Sequence, residues 1–188
     1  MNSLEGLNNL KTLGGDLEIE DNLILEDIDA LINLSNVGGE IDISDNEELQ
    51  NLEGLSSLIS INGPIKIRNN ESLVSLSGLD NIDPSGITEL TILNSSILSS
   101  CSVNSICQYI TNSLGPNDID SNAEGCNSEI QITESCIGLN LYENNNLTNQ
   151  NSDLLKMIDV LGREHIEHQQ GIILFYIYTN GKVIKRMK

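Results

Sequence analysis

Tryptophan is absent from this sequence of 188 residues, and the only aromatic residues are one Phe and four Tyr. A core of this chain must therefore be filled by Leu, Ile and Val, and a sugar-stacking aromatic platform has almost nothing to be built from. Bases are scarce as well: 9 Lys and Arg stand against 28 Asp and Glu, a formal net charge of -19. Such a chain lacks the cationic stripe that phosphate recognition needs, and an anionic lipid surface would repel it, so nucleic acid and membrane surfaces are poor partners. Long apolar runs are missing too, which argues against membrane insertion by a spanning helix. The start, MNSLE, lacks the basic and apolar stretches of a signal peptide. No Ser-centred elbow, P-loop or dinucleotide fingerprint occurs, so a non-enzymatic protein is expected.

What is present is unevenly spread. Residues 1 to 151 hold 24 acids and only Lys11, Lys66 and Arg68 as bases, a balance of -21, whereas residues 152 to 188 hold 6 bases and 4 acids, a balance of +2. The first part is a repeat. Residues 4 to 27 (LEGLNNLKTLGGDLEIEDNLILED) are followed by IDALINLSNVGGEIDISDNEELQN, LEGLSSLISINGPIKIRNNESLVS and LSGLDNIDPSGITELTILNSSILSS, a period of 24 with one inserted residue in the last copy.

Four apolar columns run through the copies: Leu4, Ile28, Leu52, Leu76; Leu7, Leu31, Leu55, Leu79; Leu10, Leu34, Leu58, Ile82; and Leu25, Leu49, Leu73, Leu98. Between them lies strict alternation, as in Leu17, Glu18, Ile19 or Ile65, Lys66, Ile67, which predicts one half-buried strand per copy. Gly14, Gly15, Gly38, Gly39 and Gly63 precede the strands and are expected to turn with positive φ, while Asp21-Asn22, Asp45-Asn46, Asn69-Asn70 and Asn94 bend the chain out afterwards. One unit cannot bury its columns alone, so neighbours must stack. The expected fold is mainly β, a right-handed β-solenoid with 24-residue turns. An amphipathic helix over the leucines spaced by three is disfavoured, because Gly-Gly and Asn break it.

The pattern Leu-x-x-Leu-x-x-Leu-x-x-Leu-Gly-Gly-x-Leu-x-Ile-x-x-Asn, as it stands from Leu4 to Asn22, resembles the receptor L domain, the leucine-rich β-helix of the insulin and epidermal growth factor receptors. It is closer still to the bacterial version in secreted proteins of the Bacteroidetes. The resemblance covers residues 4 to 136 and implies a recognition scaffold.

Four cysteines fall where the repeat loses regularity, and an open end of such a stack needs a cap. Stacking of equivalent positions predicts Cys101 with Cys126 and Cys107 with Cys136 in a helical, disulfide-bonded C-terminal cap, hence an oxidising compartment. A zinc site is disfavoured by the spacing and by the lack of His among them. An uncapped N-terminal repeat and the missing signal peptide together suggest a chain truncated at Met1.

Residues 142 to 152, YENNNLTNQNS, read as a linker, and the tail reads as strands with a hairpin about Asn180 and Gly181. The tail resembles the C-terminal sorting domain of the type IX secretion system of Bacteroidetes. The matching residues lie in the box from Ile158 through Asp159, Gly162 and Arg163, in the aromatic run with Tyr176, in the turn at Gly181, and in the basic end with Lys182 and Lys185. The resemblance implies the type IX machinery as a partner, with release or anchoring at the outer cell surface. The divisions are thus residues 1 to 100 (repeats), 101 to 136 (cap), 137 to 152 (linker) and 153 to 188 (a sorting-like hairpin or partial β-sandwich).

Outward strand positions Glu18, Glu20, Asp42, Ser44, Lys66, Arg68, Thr91 and Leu93 form the candidate binding face, with a surface protein preferred to a glycan as ligand. Residues 42 to 48, DISDNEE, are the richest run for weak Ca2+ binding; lacking EF-hand spacing, they read better as a solvated acidic face. His165 and His168 read as part of a solvated loop, and no other cofactor is expected. The functional expectation is a secreted or cell-surface recognition or adhesion module. The alternative is the spacer and sorting tail of a larger exported enzyme or adhesin.

Overall fold

In the computed structural model the described residues are 1–143, 154–159, 164–165, 174–178 and 183–186. In chain order the elements are β1 (Thr12–Leu13), β2 (Leu17–Glu20), β3 (Asn36–Val37), β4 (Ile41–Ser44), β5 (Gly63–Arg68), β6 (Ile87–Leu93), α1 (Asn104–Thr111), β7 (Asn117–Asp120), α2 (Glu129–Glu143), β8 (Leu154–Asp159), β9 (Glu164–His165), β10 (Leu174–Tyr178) and β11 (Val183–Arg186). The chain is mainly β and forms two compact units, Met1–Cys136 and Ile137–Lys188.

The first unit stacks its strands in parallel in the order β2-β4-β5-β6-β7, while β1 pairs with β3 in a second parallel ladder. Register follows the repeat: Leu17 lies beside Ile41, Ile41 beside Ile65, and Ile65 beside Leu90, with Ile19, Ile43, Ile67 and Ile92 aligned in the same way. Branched aliphatic side chains suit this pleated surface, and every second residue of each strand enters the core. The leucine columns close that core from the other side, with Leu25, Leu31, Leu34, Leu49, Leu52, Leu55, Leu58, Leu73, Leu76 and Leu79 all 0% exposed.

Spacing by three has a direct structural cause. The Leu31 N–H bonds to the Ile28 carbonyl and Leu34 to Leu31, and the same pattern recurs at Leu55 and Leu58 and at Leu79 and Ile82. Successive i to i+3 turns of this kind bring every third residue to one side, as in a short 3-10 helix. Gly54 and Gly78 sit where the turns nest. A Cβ at Gly54 would collide with the Ile28 carbonyl oxygen, and one at Gly78 with that of Leu52.

Three expectations change here. The glycines ahead of the strands do not take positive φ; instead the residues just after the strands, Asp21, Asp45, Asn69, Asn94 and Ser121, are left-handed. Gly38 is needed for closeness, since a Cβ there would lie 2.5 Å from the Gly14 carbonyl oxygen. Leu7 is 41% exposed and Leu4 and Leu10 are only partly buried, because no layer stacks on them among the described residues. Residues 101 to 136 are more than a cap, since β7 continues the sheet beside β6.

α1 closes the far end. Ile106, Tyr109 and Ile110 are buried, Ser105 donates to the Leu79 carbonyl at 2.7 Å, and the Tyr109 hydroxyl donates to the Pro116 carbonyl at 2.7 Å. Burial raises the Tyr109 phenol above its usual pKa, with Glu89 adding to the shift. Cys101 is bonded to Cys126 and Cys107 to Cys136, with Cα atoms 5.5 Å apart in each pair. These are the partners that stacking of equivalent positions predicts.

α2 runs through Glu143, so residues 137 to 143, expected to be linker, are helical. In the second unit four antiparallel strands lie in the order β11-β10-β8-β9, with β10 and β11 adjacent in sequence and paired. Met157 and Phe175 are buried. His165 belongs to a short strand opposite Met157, not to a loop, and His168 lies outside the described residues.

Candidate recognition face and its supporting ladder

The outward side of the five parallel strands carries the candidate residues. Their backbones are brought into register: Glu18 beside Asp42, Asp42 beside Lys66, Lys66 beside Thr91, and Thr91 beside Asp118 in one row. Glu20, Ser44, Arg68, Leu93 and Asp120 make the second row. Parallel in-register stacking of a repeat produces such rows automatically, since each strand enters at the same phase.

The two rows are not uniformly open. Arg68 folds back over β4, where its Nη2 lies 2.7 Å from Asp42 Oδ2 and 3.8 Å from Glu20 Oε1, and its Nε donates to Ser44 Oγ at 3.2 Å. Ser44 in turn donates to Asp42 Oδ1. Asp42 and Ser44 are therefore 4% and 1% exposed. The expectation that both are open to a ligand is corrected on this point: they lie on the outward side but beneath the guanidinium. The same pairing removes Asp42 from a solvated acidic run and engages it with a cation of the protein. Asp45, next in that run, accepts from Asn69 Nδ2 at 2.9 Å. Among the described residues no group of three His, Cys, Asp or Glu side chains is placed to hold a metal ion.

Lys66 reaches the other way, to Glu40 Oε2 at 2.7 Å, and this contact holds its ammonium above the ordinary lysine pKa. Glu40 was not among the residues singled out from the sequence; its place one residue before β4 hid it from the alternation of the strand. Glu20 is shifted in the opposite sense to a paired acid: the Asp42 charge foremost, then burial and Glu18, raise its carboxyl pKa despite the opposing pull of Arg68. What faces solvent is thus a half-exposed centre of Lys66, Arg68, Thr91 and Leu93, with exposed Glu18 and Glu20 on one side and Asp118 and Asp120 on the other.

A ladder of polar side chains fixes the strand ends that carry the face. The Asn22 N–H bonds to Asn46 Oδ1 at 3.2 Å, that of Asn46 to Asn70 Oδ1 at 3.1 Å, that of Asn70 to Ser95 Oγ at 3.2 Å, and that of Ser95 to Asn122 Oδ1 at 3.0 Å. The amides also donate inward: Asn46 to the carbonyls of Ile19 and Ser44, Asn70 to that of Ile43, and Asn122 to that of Ile92. Asn46, Asn70 and Ser95 are 0% exposed, and buried amides persist only when so satisfied. Among the described residues no buried side-chain nitrogen or oxygen lacks a partner.

In the second unit, Asp159, Tyr176 and Lys185 fall within β8, β10 and β11, where Tyr176 lies beside Met157 and Ile184, and Lys185 beside Phe175. Gly162, Arg163, Gly181 and Lys182 lie outside the described residues. The disulfides point to an oxidising environment. No helix among the described residues is long and apolar enough to cross a membrane. No family model matches the chain, and no curated protein or solved structure matches it.

Proposed function

We propose that the chain is a non-enzymatic recognition or adhesion module, built as a right-handed β-solenoid of the receptor L type, secreted or displayed at the outer cell surface. The observation that supports this reading most is the face of the parallel sheet. Its side chains stand in fixed rows, held by the buried ladder at the strand ends. A rigid surface of this kind loses little conformational entropy on binding. Its centre mixes two cations with Thr91 and Leu93, a composition suited to a protein ligand, and the scarcity of aromatics speaks against a glycan.

The same reading assigns the tail, residues 153 to 188, to export by the type IX secretion machinery. The residues carrying that assignment are Asp159, Gly162, Arg163, Tyr176, Gly181, Lys182 and Lys185. Fusion of residues 137 to 188 behind a signal-peptide-bearing reporter, expressed in a Bacteroidetes strain that has the system, tests it. Reporter in the medium or on the surface is expected, with retention in the periplasm when residues 154 to 188 are removed. Equal retention of both fusions would sink the export assignment.

A further inference from the structure

Four asparagines stand in the Asn-x-Ser/Thr pattern that accepts an N-linked glycan: Asn33, Asn70, Asn94 and Asn146, the last outside the described residues. The structure separates the other three. Asn33 and Asn94 are exposed, and Asn94 lies on the left-handed turn after β6. Asn70 is 0% exposed. Its Oδ1 accepts from the Asn46 N–H at 3.1 Å, its Nδ2 donates to the Ile43 carbonyl at 2.8 Å, and its own N–H bonds to Ser95 Oγ at 3.2 Å. Both ends of the amide are therefore engaged by the preceding layer, and full burial leaves no space on Nδ2 for a substituent.

Glycan transfer joins an asparagine amide nitrogen to the anomeric carbon of a lipid-pyrophosphate-linked oligosaccharide. The C–N bond forms, the C–O bond to the pyrophosphate breaks, and one amide proton leaves with the pyrophosphate. The folded chain cannot be modified at Asn70, because no enzyme reaches a side chain so enclosed. The unfolded chain can, since Asn70, Glu71 and Ser72 are then as open as the other acceptors. A sugar on Nδ2 has no place in the closed stack, and an Asn70 amide held outside it strands the Asn46 N–H and the Ile43 carbonyl. We propose that Asn70 is an acceptor whose modification before folding bars the stack from closing, whereas glycans on Asn33 and Asn94 are compatible with the fold. The two disulfides require an oxidising compartment. The chain therefore matures in one where no sugar reaches Asn70 before the stack closes. This constraint concerns the route of maturation and not the ligand, and it holds whatever the sheet face binds.

The test expresses the full chain behind a cleavable signal peptide in two hosts: cultured animal cells, which glycosylate emerging chains, and a bacterial periplasm without an asparagine transferase. Ser72→Ala removes the acceptor pattern at Asn70 but leaves Asn70 itself in the ladder, and the residue 72 N–H keeps its bond to the Glu47 carbonyl. In animal cells the unchanged chain should be retained with Asn70 occupied, as read by peptide mass after glycosidase treatment. Ser72→Ala should raise secretion roughly tenfold, with sugar on Asn33 and Asn94 of the folded product. Ser96→Ala, which removes the Asn94 pattern on an exposed turn, should leave the chain retained. In the periplasm the unchanged chain and Ser72→Ala should give equal yields. Efficient secretion of the unchanged chain, whether Asn70 is occupied or empty, would overturn the assignment. So would retention of the Ser72→Ala chain, or an equal gain from Ser72→Ala in the periplasm, which would mark a stability effect without any glycan.

Discussion

The Asn46 side chain accepts from one backbone N–H and donates to two carbonyls, all within a fully buried site. Truncation leaves each of those groups without its partner, and each unsatisfied buried group costs about 1–3 kcal/mol. Asn46→Ala should therefore lower unfolding free energy by about 3–5 kcal/mol in urea titration, against a change within about 0.5 kcal/mol for Glu47→Ala on the exposed turn. Equal midpoints for the two would refute the ladder. Glu20 gives a pH-dependent counterpart. Its folded pKa is raised, so its ionisation weakens the fold; that penalty is absent below the carboxyl's ordinary range and appears as pH rises through the folded value. Glu20→Gln should raise the melting temperature slightly at pH 7 and leave it unchanged at pH 3. Sequence made Asn22, Asn46 and Asn70 legible as residues that bend the chain. Their bonding across layers was not legible, because a period tells which residues recur and not which groups their amides meet. Arg68 was legible as outward-facing, yet a guanidinium long enough to cover Asp42 turns an exposed position on a neighbouring strand into a buried one.

β5 holds its neighbour by side chains as well as by its backbone. Arg68→Met would leave the Asp42 carboxylate, whose side chain is 6% exposed, with Ser44 alone. Stranding one member of a buried pair costs several kcal/mol, and the 38% exposure of Arg68 lowers the expected loss to about 2 kcal/mol. The companion change Asp42→Leu should restore most of it; additive losses in the double-mutant cycle would mean the pair is uncoupled. Gly78→Ala, which drives a Cβ into the Leu52 carbonyl oxygen, should destabilise the stack by more than about 1 kcal/mol even though Ala is the better helix former. Strands with clear alternation, β2, β4, β5 and β6, were readable from the sequence. β7 was legible only through Ile119, which matches Ile92 ahead of an Asp-Ser-Asn turn; Asn117, Asp118 and Asp120 offer no further aliphatic alternation, and the full strand comes from continuing the register of β6. The extension of α2 to Glu143 was not read from the sequence, where the Asn-rich run that follows Glu143 drew the linker back to residue 137.

Across the whole molecule, the two disulfides close loops of 25 and 29 residues at the end of the stack where α1 lies. Loops of that size correspond to about 3–4 kcal/mol each on the chain-entropy account. Reduction should lower the melting temperature by many degrees and unfold the capped end first, which hydrogen exchange at residues 101 to 136 would report; exchange spreading from β2 would contradict it. Residues 1 to 151 carry a balance of -21 against +2 for the rest of the chain, so recognition on the stack should be salt-sensitive. The claim on which the account turns is that the middle of the sheet face binds a surface protein. Binding isotherms of the labelled full chain on intact cells, with and without Thr91→Glu and Leu93→Glu, measure it most directly. The account predicts a saturable isotherm that the two substitutions abolish while the melting temperature holds; a linear isotherm, or a saturable one that the substitutions leave unchanged, would contradict it.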